Sequence, residues 1–309
     1  MPPPPSKPLR CGVIVYLHIP KTGGSSVSRF LLQHATGGHG WWQASVTEKT
    51  SWPAIVESIR QRKRPKQIIM HHVDSPMAMS DEVLINTVVK PLDCWLRSQG
   101  CRLVLTTTLR EASARASSAA YYNSVAHSRY AGWVSEHASD GMVSFLLHNR
   151  VRIQTHNRSV QMKPLDLRRA QCLLSEFDAV GRTEELEMFL TYLHALIGGE
   201  MGNSTAGGHR VNDTPDSQKY QLTAEERAWT SARTQLDGQL YASLCGGVHS
   251  CTLRNTTPAS AAADARGLQC VPWRVGSRMG WSGWSRSCGA AWETATRRDS
   301  QVHQTLTER

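Results

Sequence analysis

Hydrophobic and polar positions along this chain follow two rhythms. Short β-branched runs at residues 13–19 (VIVYLHI), 67–70 and 102–107 (RLVLTT) have the length and composition of buried strands. Residues 27–34 (VSRFLLQH) carry apolar side chains at helical spacing, so the first strand leads through a turn into a helix. Residues 36–53, rich in Gly, Trp and Ser, take no element on pattern alone. Helical patterning returns at 81–89, after the 102–107 strand through Tyr122, and at 129–137, 140–148 and 167–176. Residues 177–181 (FDAVG) read as a late strand. Thr183 then reads as the cap of a helix whose first turn holds Glu184 and Glu185, where the helix dipole favours acids. After a polar stretch at 199–219, Thr223 and Glu226 form a capping box for a helix reaching about Leu244. Strands alternating with helices predict an α/β domain with a mainly parallel sheet flanked by helices, over residues 11–245. Residues 1–10 read as a flexible proline-rich lead.

Composition changes the picture at the C-terminal end. Residues 246–309 hold eight arginines, no lysine, and the tryptophans Trp273, Trp281, Trp284 and Trp292, without periodicity. An irregular Trp/Arg-rich tail is the expectation there. The whole chain of 309 residues carries a formal charge of +10, which attracts polyanions without choosing among them. No apolar run is long enough for a membrane-spanning helix, and MPPPPSKPLR lacks the apolar segment of a signal peptide. Eight cysteines form no C-x-x-C pair, which argues against zinc and thioredoxin-type sites. Cys94/Cys101 and Cys245/Cys251 are spaced like small disulfide loops. Sequons at Asn157, Asn203, Asn212 and Asn255 slightly favour a secretory compartment.

The most informative segment is residues 16–32 (YLHIPKTGGSSVSRFLL). Gly23 and Gly24 let the backbone approach an anion, and the following helix N-terminus offers unpaired amides. Lys21 adds a mobile cation; Thr22, Ser25 and Ser26 add hydroxyls. The same residues also suit a Gly-Gly turn in which a serine merely caps a helix. A Walker A loop requires its lysine after the second glycine, whereas Lys21 precedes both.

The string HIPKTGGSS resembles the 5′-phosphosulfate-binding loop of Golgi carbohydrate sulfotransferases, nearest the heparan sulfate 2-O- and 6-O-sulfotransferase group. A second segment, residues 103–122, is similar to that family's 3′-phosphate motif, with Arg110 at a strand end and Ser118 eight residues later. Arg115 matches an intervening arginine, whereas Glu111-Ala112 stand where the family usually has Asp-Pro. His72, before Val73, resembles the family's base histidine, with His71 as a rival. Weaker likeness extends to residues 177–193 and to DGQLYASL at 237–244.

This resemblance implies a P-loop-like domain that moves a sulfuryl group from 3′-phosphoadenosine 5′-phosphosulfate (PAPS) to a carbohydrate hydroxyl, without a metal. Cofactor contacts would come from Lys21, Thr22, Gly23, Gly24, Ser25, Ser26, Arg110 and Ser118, with His72 and Lys21 catalytic. The acceptor would be a glycan, in particular an acidic polysaccharide; nucleic acid is not expected. A Golgi lumenal setting is implied, where family members are generally anchored; this chain shows no anchor, as an incomplete, processed or soluble relative would. The alternatives are a non-catalytic polyanion-binding protein and a nucleotide-dependent phosphotransferase. WSGWSRSCGAAWETATRR (281–298) resembles part of a thrombospondin type 1 repeat, in degenerate form.

Overall fold

The computed structural model describes residues 5–36, 40–46, 52–62, 65–72, 81–147, 162–198 and 220–244. The elements run β1 (Gly12–His18), α1 (Gly24–Thr36), β2 (Trp42–Val46), α2 (Trp52–Arg60), β3 (Lys66–His72), α3 (Asp81–Leu84), a π-helical turn (Ile85–Val89), α4 (Lys90–Ser98) and β4 (Arg102–Leu109). They continue with α5 (Ala112–Tyr122), α6 (His127–His137), α7 (Gly141–Leu147), α8 (Pro164–Leu174) and β5 (Ala179–Arg182). A 3₁₀ turn (Thr183–Glu185), α9 (Leu186–Ile197), α10 (Ala224–Arg233) and α11 (Gln235–Ser243) complete the order.

The strands form one sheet in the order β2-β3-β1-β4-β5, and every pair is parallel. Residues 13–17 of β1 are wholly buried, each worth roughly 1.5–3 kcal/mol if apolar. Alternation divides them between two cores, as a sheet covered on both faces requires. Ile14 and Tyr16 face α1 and α9, where Val27, Phe30, Phe189 and Leu193 lie. Val13, Val15 and Leu17 face the opposite core with Ile59, Leu96, Phe145 and Leu240. A third cluster, built on Ala116, Ala120, Tyr130 and Val134, ties α5 to α6.

This strand order positions a site. From β1 the chain leaves for β2 at one edge; from β4 it leaves for β5 at the other. Since β1 and β4 are neighbours, their outgoing connections diverge and open a crevice at their carboxyl ends, the switch point where α/β sheets bind ligands.

Several sequence expectations change. The unassigned 36–53 stretch contains β2, an edge strand that pairs with β3 alone. The helix expected at 81–89 passes through a π turn and continues to Ser98. The helix expected from 223 to 244 breaks at Thr234. There the Asp140 carboxylate accepts the amides of Leu236 and Asp237, at 2.8 and 3.2 Å, and starts a second helix. Thr183 does not cap a helix: its hydroxyl donates to the Leu109 carbonyl at 3.1 Å, and regular helix starts at Leu186. The Thr223/Glu226 capping box forms as the sequence indicates. The tail 246–309, all four sequons and Cys245/Cys251 lie outside the described residues.

Cys101 pairs with Cys11, not with Cys94. The reason is the sheet register: Gly12 stands opposite Arg102, so the residues preceding the two strands meet, with Cα atoms 5.1 Å apart. Cys94 and Cys172 are also disulfide-bonded, so no described cysteine is free. The Cys11–Cys101 bond closes 90 residues of chain, for which loop entropy gives about 4–5 kcal/mol as an upper figure. Replacing both cysteines by alanine should lower unfolding free energy by about 2–5 kcal/mol in urea titrations. An unchanged midpoint would show that the bond adds nothing to the β1–β4 pairing.

Candidate functional site

The loop after β1 has an unusual backbone. Lys21 is left-handed (φ 68°), and Gly23 follows at φ 87°. A left-handed lysine costs roughly 1–2 kcal/mol, so something must hold it. Arg110 does so, donating from Nη1 to the Lys21 carbonyl at 3.3 Å. Gly24, the first residue of α1, must lack a side chain because a Cβ there would enter the His18 imidazole. Beneath the loop, Thr22 is fully buried and donates to the Ile19 carbonyl at 2.7 Å. Its oxygen lies 3.2 Å from the Thr108 hydroxyl, which in turn lies 2.6 Å from the Tyr16 phenol. Thr106 and Thr107 donate to the Val15 and Leu17 carbonyls. These hydroxyls join β4 to β1 directly under the crevice.

Two cations converge there. The Lys21 ammonium sits 3.9 Å from the centroid of the Tyr122 ring. Burial, and then the nearby Arg110 charge, hold its pKa below the ordinary lysine value. The carboxylate beside Arg110 in sequence, Glu111, accepts the amides of Ser113 and Ala114 and the Ser113 hydroxyl, capping α5. Partial burial opposes ionisation, but those bonds, joined by the Arg110 charge, keep its pKa below the usual carboxylate value. Lys21 therefore has an aromatic face, rather than an anion, as its described partner. A desolvated cation pair of this kind favours an anionic ligand.

The predicted residues divide by position. Lys21, Thr22, Gly23, Gly24 and Arg110 come together, although the Thr22 hydroxyl is turned inward. Ser25 is exposed in the first turn of α1, and Ser26 is buried. Ser118 is half-buried in the second turn of α5 and shares no described bond with Lys21 or Arg110. His72 closes β3 in register with His18; its side chain lies outside the described set. His71 is wholly buried and its Nδ1 accepts the Trp52 indole N–H at 3.3 Å, a core arrangement rather than a base facing substrate.

Arg115 does not join the anion site. It is buried 3.7 Å from the Asp237 carboxylate, with Nη2 donating to the Ala138 carbonyl. Asp237 also accepts the amides of Met142 and Val143, so this pair fastens α5, α7 and α11 together. The sequence pattern did not single out Tyr122 and His18 beside the loop, nor Tyr16 and Thr108 buried beneath it. Only the threonine run after residue 105 hinted at polar groups inside the sheet.

Among the described residues no group of three or more His, Cys, Asp or Glu side chains is placed to hold a metal ion. None of the described helices is long and apolar enough to cross a membrane. Neither a family model nor a curated protein matches the chain.

Asp140, beside the Arg115–Asp237 pair, has its pKa raised from 3.8 to about 6, chiefly by burial and then by the Asp237 charge. The folded state thus keeps the Asp140 proton over a window in which the unfolded chain has lost it. Stability contributed by this group is present below pH 3.8 and is lost as pH rises towards 6. Asn at 140 can still accept both amides through Oδ1 while never ionising. The unfolding free energy of Asp140→Asn minus that of wild type should therefore grow between about pH 4 and 6. Urea titrations across that range giving a constant difference would contradict the shift.

Proposed function

We propose that this protein is a PAPS-dependent sulfotransferase acting on a hydroxyl of a carbohydrate, an acidic glycan in particular. The observation that carries the reading is the convergence of Lys21 and Arg110 at the diverging ends of β1 and β4, beside the N-terminus of α1. A lysine and an arginine beside a helix N-terminus suit a ligand with more than one anionic group. The HIPKTGGSS likeness supplies the identity of that ligand; electrostatics alone would accept other phosphorylated nucleotides. The unit is P-loop-like in its strand, glycine turn and helix, with the lysine ahead of the glycines rather than after them.

On this reading the loop amides, Lys21 and the α1 dipole hold the phosphosulfate, and Arg110 holds the 3′-phosphate, with Ser118 as its expected second ligand. Lys21 stabilises charge developing on the bridging oxygen as the nucleotide leaves, an effect of about 10²–10³ in rate. His72 takes the proton from the acceptor hydroxyl, and the buried setting of His71 favours that choice over its neighbour. No step requires a metal. The Cys11–Cys101 bond fits an oxidising compartment such as the Golgi lumen.

Calorimetry with adenosine 3′,5′-bisphosphate checks the cofactor site. Lys21→Ala and Arg110→Ala should each weaken binding by about tenfold or more, the loss expected for a charge-assisted bond. His72→Ala should bind as wild type does and lose sulfate transfer. Normal binding by both cation variants would exclude the assignment, and a fully active His72→Ala would move the base elsewhere.

A further inference from the structure

Arg110 lies in the two-residue connection between β4 and α5, so its aim depends on the peptide groups on either side. Both are held by one short segment. Thr183 donates from its hydroxyl to the Leu109 carbonyl at 3.1 Å, and the Glu184 carboxylate accepts the Glu111 amide at 3.1 Å. The same turn borders the Lys21 loop: a Cβ built on Gly23 would meet the Thr183 methyl at 3.4 Å. One 3₁₀ turn therefore touches both loops that carry the cations.

Glu184 is exposed, and an exposed carboxylate is a poor fixed point unless it is itself held. The Tyr241 phenol, from α11, donates to its second oxygen at 2.7 Å. Arg182 in turn donates from Nε to the Tyr241 oxygen at 2.6 Å, stacks with its guanidinium 5.0 Å from that ring, and pairs with Glu185 at 3.0 Å. Burial and the Glu184 carboxylate push the Tyr241 pKa up to about 12, so the phenol keeps its proton at neutral pH. The connected path runs from α11 through Tyr241 and Glu184 to the Glu111 amide, next to Arg110.

We infer that Thr183, Glu184 and Tyr241 are positioning residues that clamp the β4–α5 turn and so aim Arg110 at its anion. This inference rests on the reading of Arg110 as the ligand of the nucleotide 3′-phosphate. None of these bonds carries the hydrophobic core, which separates aiming from folding. Removing one should shift Arg110 while the sheet and its two cores persist.

Two nucleotides that differ only at that phosphate provide the test. Adenosine 3′,5′-bisphosphate and adenosine 5′-monophosphate would be titrated calorimetrically into the full chain and into Tyr241→Phe, Thr183→Val and Glu184→Ala, with circular dichroism to check folding. Each variant should bind the bisphosphate about threefold to tenfold more weakly and the monophosphate within about twofold of wild type. Variants that keep the wild-type preference overturn the clamp. Equal weakening for both nucleotides also overturns it, since that is what a merely structural role would do. Wild type without any preference would instead sink the phosphate assignment. In that event the Glu111 amide still judges the clamp in ligand-free protein. It should be slow in hydrogen exchange and become faster in Glu184→Ala; an unchanged rate refutes the contact.

Discussion

Two like charges held together at the end of a sheet set the terms for the rest of this structure. Lys21 and Arg110 follow different strands, yet the Arg110 guanidinium bonds the Lys21 backbone, and burial followed by the Arg110 charge depresses the Lys21 pKa. Such an arrangement opposes folding unless other forces fix both loops. The sheet supplies them: β1 is buried on both faces, and Thr106 and Thr107 of β4 bond the carbonyls of β1. The Cys11–Cys101 disulfide joins the same two strands at their opposite, amino-terminal ends. The β1–β4 pair is thus held at one end by a covalent bond and strained electrostatically at the other.

The partner chosen for Lys21 bears on how its charge is balanced. A carboxylate beside Lys21 would stabilise it more strongly than an aromatic face does, but would also compete with any anionic ligand. The Tyr122 ring attracts the ammonium without adding negative charge, and Glu111 is engaged in capping α5. Buried ion pairing occurs elsewhere, between Arg115 and Asp237, where three helices meet and no ligand is called for. Two arginines five residues apart thereby serve different ends: Arg110 looks toward the crevice and Arg115 locks the helical layer.

Local signals made much of this legible in the sequence. The buried strands β1, β3 and β4 announce themselves by short apolar runs, and the Thr223 box by the spacing of two side chains that meet within one helical turn. The lysine-glycine loop is similarly local, and its place after β1 follows from pattern alone. What stayed hidden depends on distant partners. Cys101 finds Cys11 across 90 residues because sheet register, not sequence spacing, brings them together. The helix after Thr223 breaks because Asp140, remote in sequence, caps its second half. Thr183 has the residue type of a helix cap, but a neighbouring strand end offers its hydroxyl a carbonyl first. Tyr122 reads as the end of an ordinary helix until Lys21 is placed over it.

The account stands on the claim that this paired cation site serves sulfuryl transfer rather than anion capture alone. The most direct measurement is PAPS-dependent transfer of labelled sulfate to a panel of acidic and neutral glycans. The account predicts label on a carbohydrate hydroxyl, abolished when Lys21 is replaced. Tight binding of adenosine 3′,5′-bisphosphate with no label on any glycan would contradict it and leave a nucleotide-binding protein in its place.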